Sequence, residues 1–124
     1  MKIRIYYEDT DAGGIVYHTN YIKYCERARS EMFFEQDMMP GIGSHSGFVV
    51  RNIKADFLAT ATLGDLLKVN SHIVTIKASS VVMLQEIVKE QKKLFTMEVV
   101  LVYVEEGKPA RIPDIYKTIF DKMV

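Results

Sequence analysis

The chain has 124 residues, and its 16 Lys and Arg residues balance its 16 Asp and Glu residues. Its 48 % hydrophobic and 26 % charged residues are typical of one folded domain with a single core rather than of a disordered segment. Because the chain is neutral overall, it has no general attraction to nucleic acid or to anionic lipid, and we expect neither as a partner. We expect one domain over residues 1–124.

The N-terminal segment MKIRIYYEDTD leaves no room for the apolar core of a signal peptide, because charged residues are reached by position 8. No later apolar run approaches the roughly 18 residues of a membrane span. The single cysteine, Cys25, cannot form a disulfide within the chain, which is typical of a reducing compartment. We therefore expect a cytoplasmic protein without membrane insertion.

Hydrophobic periodicity predicts a short strand and then a long helix. KIRIYY is a β-branched and aromatic run, and the loop EDTDAGG ends it. The helix must end before Pro40, which cannot continue it. The spacing becomes helical from about residue 17, and one face carries Tyr17, Tyr21, Tyr24, Ala28 and Met32.

Four strand-like segments follow, at residues 48–60, 66–76, 81–89 and 94–105. The connections between them are short and polar, which predicts an antiparallel meander. Ile115, Ile119 and Met123 recur at helical spacing after Pro113 and predict a short closing helix.

The last predicted strand is apolar on both of its sides, with Leu101 and Tyr103 alternating with Val102 and Val104. One long helix covers only one face of a sheet, so burial on the second face requires a partner surface. The simplest such partner is a second copy of the chain in a symmetric dimer.

The segment YYEDTDAGGIVYHTNY, residues 6–21, concentrates polar chemistry between the first strand and the helix. Asp11 supplies a carboxylate, and Gly13 and Gly14 permit close backbone approach or a positive φ. The first N–H groups of the helix have no acceptor within the helix and attract negative charge. A carboxylate beside such donors combines the two components of acyl-transfer hydrolysis, and the N–H of His18 is the candidate donor.

The residues of this segment also allow other interpretations, some of which are excluded by spacing. An acidic loop with glycine between a strand and a helix is often only a capped turn. A calcium loop is excluded because Gly13 and Asn20 replace the oxygen ligand and the glutamate that it needs. A phosphotransferase with an aspartyl nucleophile needs a parallel sheet, whereas the strands predicted here form an antiparallel meander, so this interpretation is disfavoured. Cys25 lies about 10 Å along the helix from His18, too far for a nucleophilic dyad.

The longer segment YYEDTDAGGIVYHTNYIKYCERARSEMF resembles the signature of the 4-hydroxybenzoyl-CoA thioesterase family of the hotdog-fold superfamily, and especially its acyl-CoA thioesterases associated with the bacterial Tol-Pal envelope system. The specific part covers about residues 4–33, and FLATATLGD extends a weaker match over nearly the whole chain. The resemblance implies an α+β hotdog fold, in which a five-stranded antiparallel sheet wraps one long helix in the order β-α-β-β-β-β. It also implies a homodimer or homotetramer with active sites at the dimer interface.

The same resemblance implies hydrolysis of an acyl-CoA thioester to a carboxylic acid and free coenzyme A, with no metal or other cofactor. Asp11 matches the catalytic carboxylate, acting as base or as nucleophile, and His18 matches the position whose backbone N–H polarises the carbonyl. Asn20 is also expected to stabilise the turn, and the charge of Arg51 suits the phosphates of a nucleotide-bearing substrate. The candidate substrate-binding residues are Gly14, Tyr17, Asn20 and Arg51.

Two further classes of function stay open at the level of sequence. In the first, the chain is another enzyme of the same fold, a hydratase or an acyl-carrier-protein thioesterase. An acyl carrier protein or an envelope system is also a candidate partner. A non-catalytic acyl-CoA-binding protein or an envelope-associated scaffold would use the loop only to shape a pocket, because fold alone does not fix function.

Overall fold

An antiparallel sheet and two helices form the fold in the computed structural model, which describes residues 1–43 and 45–124. The helices are α1 (His18–Phe34) and α2 (Asp114–Asp121). The predicted α+β order and the closing helix are therefore confirmed. The strands are β1 (Lys2–Arg4), β2 (Ser46–Phe57), β3 (Leu66–Ile76), β4 (Ser80–Lys89), β5 (Lys92–Glu105) and the two-residue β6 (Lys108–Pro109).

The strand order is β1-β3-β4-β5-β2, with every pairing antiparallel and β6 added to β5. The predicted four-strand meander is wrong in one respect, because β2 pairs with β5 and not with β3. The turn before β3 does not close a hairpin, since its backbone bonds to the N-terminal segment: Gly64 N–H donates to the Ile5 carbonyl at 2.9 Å. Strand β2 therefore lies at the opposite edge of the sheet from β1.

Helix α1 packs across the inner face of the sheet. The predicted apolar face is correct in its centre, but Tyr17 precedes the first helical residue and stays 48 % exposed. Burial raises the pKa of the Cys25 thiol to about 12, so this cysteine is a neutral core side chain. The fully or nearly fully buried residues of the helix are Tyr21, Tyr24, Cys25, Ala28, Arg29 and Phe33.

An aromatic cluster joins the two helices to β2. The Phe33 ring stacks on Phe48 at 5.8 Å, and Tyr116 meets both rings edge-on. Phe120 packs against the same two phenylalanines, so helix α2 closes this end of the core. Ile115, expected on the apolar face of α2, is instead 52 % exposed. Within residues 1–43 and 45–124, no helix has the length and apolar character needed to cross a bilayer.

A buried polar chain crosses the middle of the core. The Arg29 guanidinium donates to Gln85 Oε1 at 3.0 Å, and Gln85 Nε2 donates to the Cys25 carbonyl at 2.9 Å and to Ser71 Oγ at 3.0 Å. Gln85 is fully buried on β4, so these bonds replace the water that its amide loses on folding. These hydrogen bonds of the buried Arg29 and Gln85 side chains fix the position of α1 along β3 and β4.

Substitution Gln85→Leu should lower the free energy of unfolding by about 2 kcal/mol, because it leaves the buried Arg29 guanidinium without its acceptor. The double variant Arg29→Met, Gln85→Leu should recover most of that loss, since neither polar partner is then buried alone. Urea unfolding curves measure both effects. A Gln85→Leu variant as stable as the parent would show that these side-chain hydrogen bonds do not hold the helix in place.

Candidate active site

The loop between β1 and α1 is tied to the helix through Asp9. The Asp9 carbonyl accepts hydrogen bonds from the Tyr17 N–H at 3.0 Å and from the Asn20 side-chain amide at 2.9 Å. The Asp9 carboxylate accepts from the Tyr6 N–H at 2.8 Å. Burial and the neighbouring Asp9 carboxylate raise the pKa of the Tyr24 phenol, which therefore stays neutral. These bonds give Asp9 and Asn20 a structural role in the loop.

Asp11 lies at the centre of a tight turn. Its Oδ1 accepts from the Gly13 N–H at 2.8 Å, and its carbonyl accepts from the Gly14 N–H at 3.0 Å. Gly14 has φ +82°, a left-handed conformation in which a side chain would be strained. Within the described part of the chain, Oδ2 of Asp11 has no hydrogen-bond partner, so one carboxylate oxygen is held and the other is unbonded.

Helix α1 begins at His18 with an uncompensated N-terminus. Tyr17 provides no side-chain cap, and the first turn contains no acidic residue. Among residues 1–43 and 45–124, the N–H groups of His18 and Thr19 have no hydrogen-bond acceptor. The positive end of the helix dipole is thus open to a negative charge or to a polarised carbonyl oxygen.

Asp11 and His18 line the same cavity, which has a volume of about 300 Å³. Its other walls are mostly apolar and come from the start of α1 and from the end of β2 with the chain that follows it. The His18 ring lies between Tyr17, at 4.7 Å, and Phe57, at 5.9 Å. The remaining lining residues are Ile15, Val16, Tyr21, Phe57, Leu58, Ala59 and Thr60.

The four candidate substrate-binding residues occupy different places. Gly14 shapes the Asp11 turn, and Tyr17 packs on the His18 ring. The Asn20 amide is directed to the Asp9 carbonyl, outside the cavity lining. Arg51 is exposed on β2, six residues before Phe57 and so roughly 20 Å away along the strand. Within one copy of the chain, Arg51 therefore does not reach the cavity.

Sequence reasoning missed the cavity wall formed after β2. Phe57 and Leu58 are 49 % and 56 % exposed and are adjacent, and neighbouring exposed apolar residues can mark a binding or interaction surface. The Ala61 N–H donates to the Tyr21 hydroxyl at 3.0 Å, and this bond holds the wall against α1. The signal was the segment FLATATLGD, in which two large apolar residues are adjacent where an alternating strand pattern ends.

Comparison with known proteins assigns the chain to a family. A model of the thioesterase-like superfamily matches residues 6–119. The chain belongs to this superfamily. It is 41 % identical over 98 % of both chains to a Helicobacter pylori protein named acyl-CoA thioesterase YbgC.

Solved structures agree with this family assignment. A probable thioesterase from Bartonella henselae is 32 % identical, covers 91 % of this chain and 97 % of its own, and superposes with a TM-score of 0.85. A Thermus thermophilus thioesterase solved with coenzyme A and Zn is 25 % identical, with coverages of 99 % and 92 % and a TM-score of 0.82. The hotdog fold and the assignment as a thioesterase, both expected from the sequence, are confirmed.

Substitution Asn20→Ala should lower the free energy of unfolding by about 1 kcal/mol, because the Asp9 carbonyl loses a side-chain donor. Thr19→Ala is the matched control, since Thr19 is the exposed neighbour and its hydroxyl makes no hydrogen bond within the described residues. Thermal or urea unfolding measures both. Equal stability of the two variants would contradict a stabilising role for the hydrogen bond from the Asn20 side chain to the Asp9 carbonyl.

Proposed function

We propose that this chain hydrolyses an acyl-CoA thioester to a carboxylic acid and free coenzyme A. The observation that carries the proposal is one cavity whose mostly apolar lining includes both Asp11 and His18, the first residue of α1. The name of the Helicobacter pylori relative and the coenzyme A in the Thermus thermophilus structure support the substrate class.

The thioester oxygen would accept a hydrogen bond from the His18 N–H, with the Thr19 N–H beside it. Charge grows on this oxygen as the carbonyl carbon becomes tetrahedral, so a fixed donor at the positive end of a helix binds the transition state more tightly than the substrate. The backbone donor requires nothing of the imidazole ring except its place between Tyr17 and Phe57.

Two routes use the free Oδ2 of Asp11. As a base, it takes a proton from a water molecule that attacks the carbonyl carbon, and the C–S bond then breaks to release the thiol. As a nucleophile, it attacks the carbon itself, the C–S bond breaks to expel the coenzyme A thiolate, and the resulting mixed anhydride is then hydrolysed by water to the carboxylic acid and the free Asp11 carboxylate. In both routes the Gly13 N–H holds Oδ1, which fixes the direction of Oδ2.

A second copy of the chain would complete the site. Strand β2 is a twelve-residue edge strand with exposed Val49 and Val50, and long exposed edges are prone to pair with other strands. Antiparallel pairing of two β2 strands along their full length would place Arg51 near the two-fold axis and the partner's Ser46 beside Phe57. The half-exposed cavity wall would then be covered in a dimer, or in a tetramer built from two dimers.

The non-catalytic and hydratase alternatives differ from hydrolysis in their products. A hydratase adds water to an enoyl thioester without releasing thiol, and a binding protein shows acyl-CoA affinity without turnover. A cytoplasmic location and association with an acyl carrier protein or an envelope system stay predictions.

Substitution Asp11→Asn should lower kcat by about 10²–10⁴-fold, because it removes the acid-base group. Glu8→Gln is the matched control, an exposed carboxylate of the same loop outside the cavity. Thiol release from a panel of acyl-CoA esters measures both variants. An Asp11→Asn variant with nearly full activity would refute the role of this carboxylate.

Substitution Gly13→Ala should also lower kcat, but by less. A Cβ at residue 13 would lie 3.2 Å from Asp11 Oδ1, which pushes the carboxylate out of place, whereas a Cβ at Gly14 would meet no atom within 4 Å. Gly14→Ala should therefore cost about 1 kcal/mol of stability through its φ while leaving the carboxylate uncrowded. Unfolding curves and thiol-release rates of the two variants separate crowding from backbone strain.

Substitution Val50→Lys should favour the monomer and lower activity with it, because a charge at the β2 edge opposes strand pairing. Val74→Lys is the matched control, since Val74 is 52 % exposed, against 47 % for Val50, and lies at the bulge of β3, away from the β2 edge. Light scattering gives the mass of each variant in solution. An unchanged mass for Val50→Lys would exclude this edge as the interface.

A further inference from the structure

A basic groove of about 470 Å³ lies where β1, β3 and the end of β4 meet. The charges that line it sum to +2, from four cations and two carboxylates, on a chain whose formal net charge is zero. The positive charge is therefore concentrated locally although the composition is balanced. The charged lining residues are Lys2, Arg4, Asp65, Lys68, Lys89 and Glu90.

Two lysines in this groove face each other without a counter-ion. Lys2 is directly opposite Lys68 in the β1–β3 ladder, an arrangement that destabilises a sheet. The nearby Asp65 carboxylate is occupied, since it accepts from the Thr62 N–H at 2.8 Å and pairs with Lys89 at 2.9 Å. Across residues 1–43 and 45–124, no carboxylate lies within 4 Å of either opposed lysine. The pair is thus available to an anion from outside.

The groove borders the turn that also borders the Asp11 cavity. Arg4 Nη1 donates to the Gly64 carbonyl at 2.7 Å in the groove. Two residues earlier, Thr62 forms a β-bridge with Ile15, which lines the cavity. Two residues of extended chain span at most about 7 Å, so the two sites are neighbours along one short segment of surface.

We propose that this groove binds the phosphate groups of the nucleotide part of coenzyme A while the thioester occupies the Asp11 cavity. The inference rests on the proposed function and adds a binding site to it. Ammonium and guanidinium groups form charge-assisted hydrogen bonds with phosphate oxygens. The half-exposed Leu66 adds apolar surface between the cations. Arg51, the sequence candidate for this task, lies elsewhere on β2.

The first experiment measures binding without catalysis. Adenosine 3′,5′-bisphosphate carries the base and two of the three phosphates of coenzyme A but has no thioester, and isothermal titration gives its Kd for the full chain. Lys68→Glu should weaken this binding about ten-fold or more. Lys77→Glu is the matched control, because Lys77 is an exposed lysine just after the other end of β3, nine residues away and so roughly 30 Å along the strand.

Misfolding does not explain such a loss. Lys68→Glu replaces an opposed like-charge pair with an opposite-charge pair, so its thermal midpoint should equal or exceed that of the parent. A residue whose replacement raises stability while it weakens ligand binding is one retained for binding.

The second experiment compares one acyl group, chosen among those that the wild type hydrolyses, on coenzyme A and on pantetheine. Pantetheine carries the same thioester without the nucleotide phosphates. Lys68→Glu should raise KM for the coenzyme A ester about ten-fold and leave KM for the pantetheine ester and both kcat values unchanged. Equal effects on the two esters, or equal bisphosphate binding by Lys68→Glu and Lys77→Glu, would overturn the proposal.

A phospholipid headgroup offers the same phosphate chemistry, so sedimentation with phosphatidylglycerol and phosphatidylcholine vesicles is the third arm. Vesicle binding that needs Lys68, without bisphosphate binding, would assign the groove to a lipid surface and overturn the nucleotide site. Bisphosphate binding that needs Lys68, in a chain that releases no thiol from any ester, would support the groove and refute hydrolysis. The two proposals therefore fail separately.

Discussion

The backbone hydrogen bonds that join the N-terminal segment to the turn at residues 61–65 determine most of the architecture. Ile5 N–H donates to the Asp65 carbonyl, Gly64 N–H to Ile5, and Val16 N–H to Ala61, each at 2.9 Å. These bonds tie the β2–β3 connection to the N-terminal segment, and β1 occupies the start of β3 at residues 66–68, while β2 pairs with β5. They also bring the loop that contains Asp11 against the chain that leaves β2, and the cavity lined by Asp11 and His18 forms between them.

The start of α1 is fixed by a second set of contacts. Asp9 and Asn20 anchor the loop to the first turn of the helix, while Gln85 and Arg29 fix the position of the helix on the sheet from inside the core. A backbone donor is useful to a reaction only when it is held in place, because a donor that must reorient as charge develops loses much of its advantage. Stabilising bonds and the groups proposed to react therefore alternate along the same short segment.

Sequence patterns predict the parts of this molecule that depend on local chemistry. The Asp11 turn, the glycine at positive φ and the helix start at His18 follow from residue types that have few other uses in that order. The pairing of β2 with β5 does not follow from any local pattern. It depends on backbone bonds of Ile5 and Gly64, which are remote in sequence and leave no mark on side-chain periodicity. Arg29 was missed because a charged residue on a helix is normally exposed.

Charge segregation is a feature of this surface that composition alone does not reveal. A net charge of zero excluded a strongly basic protein, yet four cations gather at one corner of the sheet while the first turn of α1 carries no acid. The basic groove and the N-terminus of α1 are each positive only locally, and both lie beside the turn at residues 61–65. An acyl-CoA ester has its charge at the nucleotide end and its polarisable carbonyl at the other. A neutral chain can match such a substrate through two separate positive sites, without the general attraction to anions that a basic surface would bring.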